Sequence, residues 1–212
     1  MTSANTLRPV RILVVCTANI CRSPAMEMLL QDSLSRAGLP PDEVDVASSG
    51  VDALEGSARC ARSRLLADAH AEAQDNEALW TSPSRLLRVE QIASADLVLT
   101  AARIHRGAVA RLLPTARGRT FTLLQAARAA DMIVANGLPE VVPLPQADDP
   151  RGRLRWLVAE LDAARGPVQN PDDDDVPDPH LTGDAEHEPA MALMASAIER
   201  LGILVTTVLG HP

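Results

Sequence analysis

Aromatic residues and lysine are nearly or wholly missing from this sequence. Aromatic side chains make up 1% of the 212 residues, no tyrosine occurs, and every basic residue is arginine. The core must therefore be built from aliphatic side chains, alanine and methionine, and the chain cannot be regulated by phosphorylation of its own tyrosines. Basic residues are also outnumbered by acidic ones. The net charge of −8 argues against a nucleic-acid partner, which requires a positively charged surface.

Cysteine is scarce, and so are long apolar runs. Three cysteines without regular spacing do not indicate the disulfide scaffold of a small secreted protein. The N-terminal residues contain no apolar signal core, and we find no run that approaches the length of a membrane span. We therefore expect a cytoplasmic protein without membrane insertion. Its length and its 46% of apolar residues favour one folded domain over residues 1–212.

The stretch from Val10 to Pro24 combines a buried strand, a short polar loop and the start of a helix. The loop holds Cys16 and, after five intervening residues, Arg22. Backbone N–H groups of a tight loop and the N-terminus of a helix attract an anion, and a guanidinium binds two phosphoryl oxygens at once. The same positive field favours the thiolate form of Cys16. The segment therefore predicts a nucleophile beneath a binding site for a phosphate-like dianion.

Hydrophobic periodicity along the rest of the chain alternates between strand and helix. Strands are predicted over 10–15, 44–48, 95–100 and 120–123, and helices over 25–34, 58–73, 89–93, 104–113, 124–136, 154–164 and 188–208. This order predicts an α/β fold, an open, mostly parallel four-stranded sheet with helices on both faces, similar to a Rossmann fold. In such a sheet the site lies at the carboxyl ends of the strands.

The motif CTANICRSP after a hydrophobic strand resembles the signature of the low-molecular-weight protein tyrosine phosphatases, in which Cys-x5-Arg continues as Ser-Pro. The resemblance covers residues 10–136 and 176–209. It implies the fold of that family and a phosphatase that hydrolyses phosphomonoesters through a phosphocysteine on Cys16, without a cofactor. The implied substrate is protein phosphotyrosine or a small aryl phosphate. Because the family crosses the interval 137–170 with a shorter link, we interpret that segment as an insertion.

The resemblance also implies roles for the loop residues. Arg22 binds the phosphate and stabilises charge on its equatorial oxygens, on which this kind of catalysis depends. The backbone around the phosphate belongs to Thr17, Ala18, Asn19, Ile20, Cys21 and Ser23. Asn19, Ser23 and Ser48 support the loop, although an ordinary turn serine explains Ser48 nearly as well. Asparagine also tolerates the left-handed backbone geometry that such a loop requires.

Asp178 is the expected general acid. A phenolic leaving group departs more readily when a carboxylic acid protonates it, and the same group then acts as base for the water that hydrolyses the intermediate. The family places this aspartate in an Asp-Pro pair on a loop before the last helix, which Asp178-Pro179 matches. The preceding run Asp172–Asp175 is expected to be a solvated acidic loop.

The remaining cysteines and histidines leave alternatives open. Cys21 is either a buried filler or the partner of Cys16 in a reversible disulfide, and Cys60 is expected to pack inside a helix. His180 is expected to be a solvated loop histidine at a position where the family commonly carries an aromatic residue. The other histidines, His70, His105, His187 and His211, are expected to be structural; none shows the spacing of metal ligands, so no metal is expected. Ile20 resembles the tyrosine-directed members, whereas threonine there resembles protein-arginine phosphatases.

Two other functions stay open. An arsenate reductase on the same fold would relay oxidation through an extra cysteine pair after the third strand, where this chain has Thr100-Ala101-Ala102-Arg103. A module that binds phosphate without turnover is the other alternative, and the intact set of Cys16, Arg22 and Asp178 counts against it. Arginines elsewhere either attract anionic substrates or lie on solvated helix faces; they are Arg59, Arg62, Arg64, Arg85 and Arg88.

Overall fold

The fold is built on a single parallel sheet. The computed structural model of the chain describes residues 9–71, 77–138, 144–146, 149–166 and 170–210. Its strands, β1 (Val10–Cys16), β2 (Val44–Gly50), β3 (Leu97–Thr100) and β4 (Thr120–Thr122), lie in the order β2-β1-β3-β4. All pairings between these strands are parallel. The predicted open, four-stranded sheet is confirmed, and over the described residues it is parallel throughout.

Helices surround the sheet on both sides. Within the described residues they are α1 (Arg22–Arg36), α2 (Ala61–Asp68), α3 (Glu77–Thr81), α4 (Val89–Ser94), α5 (Arg103–Leu112), α6 (Leu123–Asn136), α7 (Pro150–Ala163), α8 (Pro179–Thr182) and α9 (His187–Leu209). Short 3-10 segments lie at Pro114–Arg119, Pro171–Asp174 and Asp184–Glu186. The sequence pattern does not predict α3 and α8, because five and four residues are too few to show helical periodicity.

Separate apolar cores cover the two faces of the sheet. Alternate side chains of β1 point to opposite faces, so that Ile12 and Val14 lie in the larger core with α1, α6, α7 and α9. Leu13 and Val15 lie in the smaller core with residues of α4 and α5. Burial on both faces explains why β1 is a nearly continuous apolar run. The predicted helices on both faces are therefore confirmed.

The last helix, α9, packs against α1, α6 and α7. By length and composition, the segment Asp184–Leu209 is long and apolar enough to cross a membrane, which the sequence analysis did not expect. Half of its most apolar stretch is buried inside the protein. Because a core helix meets the same criteria, this segment is only weak evidence for a membrane.

Part of the segment 137–170, expected to be an insertion, forms α7. Its side chains Leu154, Leu157 and Leu161 are fully buried in the larger core. The helix begins at Pro150, earlier than predicted, because Asp149 caps it by accepting a hydrogen bond from the third helical N–H. Residues 139–143, 147–148 and 167–169 lie outside the described part of the chain.

The helix predicted over 58–73 is shorter than expected. It begins at Ala61, and Cys60 is its N-cap, whose Sγ accepts a hydrogen bond from the Ser63 N–H at 3.4 Å. The expectation that Cys60 packs inside a helix is therefore wrong. Cysteine rarely caps helices, so the sequence contained no signal for this start.

Candidate active site

The loop 16–22, here called the phosphate loop, lies at the carboxyl end of β1. This strand is an inner one, with β2 on one side and β3 on the other. The chain crosses from β1 to β2 in one direction and reaches β3 in the other, so a crevice opens above the end of β1. Ligands of parallel α/β sheets bind at such points. The topology therefore places Cys16 where the sequence analysis expected the site.

The Cys16 sulfur is buried and surrounded by donors. Ser23 Oγ lies 3.0 Å from Sγ, and the Asn19 N–H donates to Sγ at 3.3 Å. The adjacent helix α1 begins at Arg22 and directs the positive end of its dipole at the loop. These two hydrogen bonds and the helix dipole are all placed to stabilise negative charge that develops on the sulfur.

Asn19 links the phosphate loop to the second strand. Its backbone φ is +55°, the left-handed geometry expected for this position. Its amide Nδ2 donates to Ser23 Oγ at 2.9 Å and to Ser48 Oγ at 2.8 Å, and its Oδ1 accepts from the Arg85 N–H at 2.9 Å. The structure thus brings together Asn19, Ser23 and Ser48, the three residues predicted to support the loop.

The carbonyl groups of the phosphate loop turn outward and are hydrogen-bonded. Donor and acceptor pairs are Val51 N to Cys16 O (2.9 Å), Asp52 N to Thr17 O (2.9 Å), Arg59 Nη1 to Asn19 O (2.8 Å), Cys60 N to Ile20 O (2.7 Å) and Ser63 Oγ to Cys21 O (3.1 Å). Because buried carbonyls need partners, these bonds hold the loop in the shape that directs its N–H groups inward.

Arg59 supports the phosphate loop, and sequence reasoning missed this role. Its side chain is buried, and beyond the bond to Asn19 it donates through Nε to Ser82 O at 3.0 Å. The expectation of a solvated or substrate-attracting Arg59 is therefore wrong.

Glu27 lies buried near Arg59. Burial raises the pKa of its carboxyl group, and a hydrogen bond with Ser48 and then the charges of Arg85 and Arg59 partly offset this rise. No local sequence signal marks either residue.

Arg62, Arg64 and Arg88 do lie at the surface, in ion pairs with Asp184, Glu77 and Glu55. Their partners are exposed, and such pairs contribute little to stability. The interpretation as solvated helix faces fits these three residues.

Arg22 joins the phosphate loop to the segment that carries Asp178. Its guanidinium is buried, donates through Nη1 to Val176 O at 3.0 Å and through Nη2 to Thr17 Oγ1 at 3.0 Å, and forms an ion pair with Asp178. Val176 is held in turn by a bond from its N–H to Ala101 O at 2.8 Å. Asp178 therefore lies next to the phosphate loop, at the carboxyl edge of the sheet.

His105 extends this network on the other side of Thr17. Its Nε2 lies 2.9 Å from Thr17 Oγ1, and the ring is buried. Burial, followed by the positive charge of Arg22, lowers the pKa of His105 to about 4. The neutral His105 ring and the Thr17 hydroxyl share a hydrogen bond, and the same hydroxyl oxygen accepts from Arg22 Nη2.

Asp172 and Asp173 of the acidic run are exposed as expected, whereas Asp174 and Asp175 are anchored, so the expectation of a solvated loop is wrong for that half of the run. Arg103 pairs with Asp175, which also accepts the Arg103 N–H at 2.7 Å, and Arg128 pairs with Asp174. Asp174 is buried. The run holds the segment before Asp178 against α5 and α6.

Cys21 lies at the far end of the phosphate loop beside Cys60, His180 and His187. One ligand atom from each of the four lies within 4.8 Å of all the others. Burial raises the pKa of Cys21 to about 12, and the neighbouring Cys60 and Cys16 add to the rise. His180 is exposed and its ring meets that of His187 edge-on, with centroids 5.2 Å apart.

A parallel α/β sheet with a Cys-x5-Arg loop at its carboxyl edge and a paired carboxyl opposite defines a cysteine-based phosphatase site. A family model described as low molecular weight phosphotyrosine protein phosphatase matches residues 11–135. The probable low molecular weight protein-tyrosine-phosphatase AmsI of Erwinia amylovora is 36% identical over 110 residues, 52% of this chain and 68% of that protein.

Proteins named as arginine phosphatases are also similar to this chain. A protein-arginine-phosphatase of Geobacillus stearothermophilus is 35% identical over 153 residues, 72% of this chain and 94% of that protein. The solved structure of the YwlE arginine phosphatase from the same organism superposes with a TM-score of 0.60 at 26% identity, over 96% of this chain and 99% of that one. The chain belongs to the low molecular weight phosphotyrosine protein phosphatase family and is an enzyme of the cysteine-based phosphatase class.

Proposed function

We propose that this enzyme hydrolyses phosphotyrosine in cytoplasmic proteins by attack of the Cys16 thiolate on phosphorus. The proposal depends mainly on one observation, the ion pair between Arg22 and Asp178 above the phosphate loop. That pair brings a phosphate-binding guanidinium and a carboxyl group to the mouth of the loop that holds the sulfur.

In the first step, the Cys16 sulfur forms a bond to phosphorus while the bond from phosphorus to the tyrosine oxygen breaks. Arg22 and the inward N–H groups of the phosphate loop bind the equatorial oxygens, on which charge is spread in the transition state. Ser23, which lies 3.0 Å from the sulfur, stabilises the thiolate before attack.

Asp178 protonates the departing oxygen. In the substrate-free arrangement its carboxylate neutralises Arg22. A bound phosphoryl dianion takes that place on the guanidinium, and Asp178, released from Arg22, takes a proton from solvent and gives it to the leaving group. Asp178 has 18% of its side chain exposed, against 5% for Arg22, so it lies on the solvent side of the pair.

In the second step, water attacks the phosphocysteine and Asp178 removes its proton. The sulfur–phosphorus bond breaks, and Cys16 departs as a thiolate that Ser23 and the Asn19 N–H again stabilise. Inorganic phosphate is released, Asp178 gives its proton to solvent, and its carboxylate pairs with Arg22 again. The thiolate, the guanidinium and the carboxyl group each act in both steps.

Ile20 supports an aromatic substrate. Its side chain is half-buried on the phosphate loop, where an apolar surface contacts a phenyl ring favourably. AmsI, named as a tyrosine phosphatase, is similar to this chain. Phosphoarginine is the second candidate, because the protein-arginine-phosphatase relative matches over 94% of its own length.

A parallel assay of a phosphotyrosine peptide, a phosphoarginine peptide and arsenate separates these functions. We expect the wild-type enzyme to prefer phosphotyrosine. Ile20→Thr should lower that preference by about tenfold, the equivalent of roughly 1.4 kcal/mol of lost apolar contact. Hydrolysis of a small alkyl phosphate, which has no aromatic ring for Ile20 to contact, serves as the control for a general loss of activity. Faster turnover of phosphoarginine or reduction of arsenate by the wild-type enzyme would overturn the assignment.

A further inference from the structure

Four potential metal ligands converge beside the catalytic centre. They are Cys21 of the phosphate loop, Cys60 at the N-cap of α2, His180 in α8 and His187 at the start of α9. Their ligand atoms all lie within 4.8 Å of one another, and Cys60 Sγ is 3.6 Å from His187 Nε2. No local sequence pattern indicates this cluster, because three distant stretches of chain contribute to it.

We propose that these four side chains bind a zinc ion in a tetrahedral Cys2His2 site. Two thiolates and two imidazoles are the ligand set of structural zinc sites, and softer ligands disfavour magnesium and calcium. Metal–ligand bonds of about 2.0–2.3 Å give ligand-to-ligand distances of roughly 3.3–3.8 Å. The observed grouping is slightly wider than that, and small side-chain rotations close the difference.

The environment of His187 independently favours a metal ligand. Its Nδ1 lies 3.0 Å from the Asp184 carbonyl oxygen, which can only accept, so Nδ1 carries the proton. The buried Nε2 therefore presents its lone pair to the cluster. Histidine ligands of metals are commonly oriented by such a hydrogen bond from the second ring nitrogen to a carbonyl or carboxylate.

A bound ion would connect the phosphate loop directly to the segment that follows Asp178. Cys21 precedes Arg22 directly, and His180 follows Asp178 by two residues. Binding all four side chains would therefore fix α8 and the phosphate loop relative to each other and restrict the position of Asp178. The metal site does not use Cys16, so it exists or fails independently of the proposed catalytic mechanism.

Cobalt(II) added to the reduced, metal-free protein tests the proposal. We expect one cobalt per chain, with the visible bands of tetrahedral cobalt and a near-ultraviolet sulfur-to-cobalt charge transfer. Zinc should displace the cobalt completely. At a hundredfold excess over its Kd, zinc should raise the midpoint of thermal unfolding by about 5–10 °C.

Variants locate the site. Cys60→Ser and His187→Gln should each weaken cobalt binding by more than the roughly 10–100-fold typical of losing a second-shell partner. Cys16→Ser should bind cobalt like the wild type, which separates this site from the catalytic thiolate. His70→Gln, at an exposed histidine, is the matched control. Thermal unfolding of each variant in a chelator verifies that it folds.

Three results would overturn the proposal. One is the absence of stoichiometric cobalt binding, and another is an octahedral spectrum without sulfur charge transfer. The third is binding that Cys16→Ser abolishes while Cys60→Ser and His187→Gln retain it.

Discussion

In the proposed mechanism Asp178 pairs with Arg22 in the free enzyme and protonates the leaving oxygen in the substrate complex. The carboxyl group is held in place because Asp178 is the N-cap of α8: its Oδ1 accepts a hydrogen bond from the His180 N–H at 3.2 Å. Val176, two residues earlier, is fixed by its bonds to Ala101 and Arg22. The acid therefore lies on a segment that is anchored on both sides.

Replacing the acid tests its role at the scale of one residue. Asp178→Asn keeps the size and the N-cap but cannot donate the proton, so aryl phosphates with poor leaving groups should slow by on the order of 10²–10⁴-fold. Activated aryl phosphates, which leave without protonation, should slow much less. The measurement is kcat across a series of leaving groups. An equal loss across the whole series would reject Asp178 as the acid.

Much of the site was predictable where the chemistry lies in a contiguous motif, and Ser48 and Asp178, which lie outside it, were predicted through the family resemblance. Cys16, Asn19, Arg22 and Ser23 belong to one short segment whose strand, loop and helix all agree. Arg59 was not predictable in the same way, because its carbonyl partners come from other segments and nothing local marks it.

At the scale of elements, the end of β2 determines the shape of the phosphate loop. Gly50 closes this strand, and its backbone lies so close to the loop that an added Cβ would come within 2.7 Å of Asn19 N. Only glycine permits this approach. The predicted strand 44–48 ended before Gly50. The close approach of Gly50 to the phosphate loop depends on how these two elements pack, and hydrophobic periodicity does not indicate it.

Gly50→Ala should displace the phosphate loop and disorganise its anion site. We expect a rise of about tenfold or more in KM for aryl phosphates and in the inhibition constant of inorganic phosphate, since the inward N–H groups lose their alignment. Gly107→Ala is the matched control, because its Cβ would meet only a flexible arginine end at 3.6 Å. Unchanged phosphate affinity in Gly50→Ala would show that the loop does not depend on this approach.

At the scale of the whole molecule, we propose that the chain is a single phosphatase domain in which 137–170 is an insertion. The family model ends at residue 135, just before this interval. The helix α7 inside it shares the larger core with α6 and α9. The proline-rich sequence predicted an interruption there, but the burial of α7 depends on the faces that α6 and α9 present and could not be foreseen.

Leu157→Ala measures how far this segment belongs to the domain. Leu157 is fully buried, so its truncation should lower the free energy of unfolding by about 2–5 kcal/mol. Leu65→Ala, at a side chain that is 70% exposed, should change it by about 0.5 kcal/mol or less. Urea unfolding followed by circular dichroism provides both values. A negligible effect of Leu157→Ala would mean that α7 is peripheral to the fold.

The central claim is that Cys16 carries the phosphoryl group during turnover. Rapid acid quench of the enzyme with an aryl phosphate, followed by mass spectrometry of the peptides, tests this most directly. We predict a phosphoryl group on the peptide of residue 16, formed within one turnover and absent from Cys16→Ala, which should also lose hydrolysis. Hydrolysis at the wild-type rate by Cys16→Ala, or a phosphoryl group on another residue, would contradict the account.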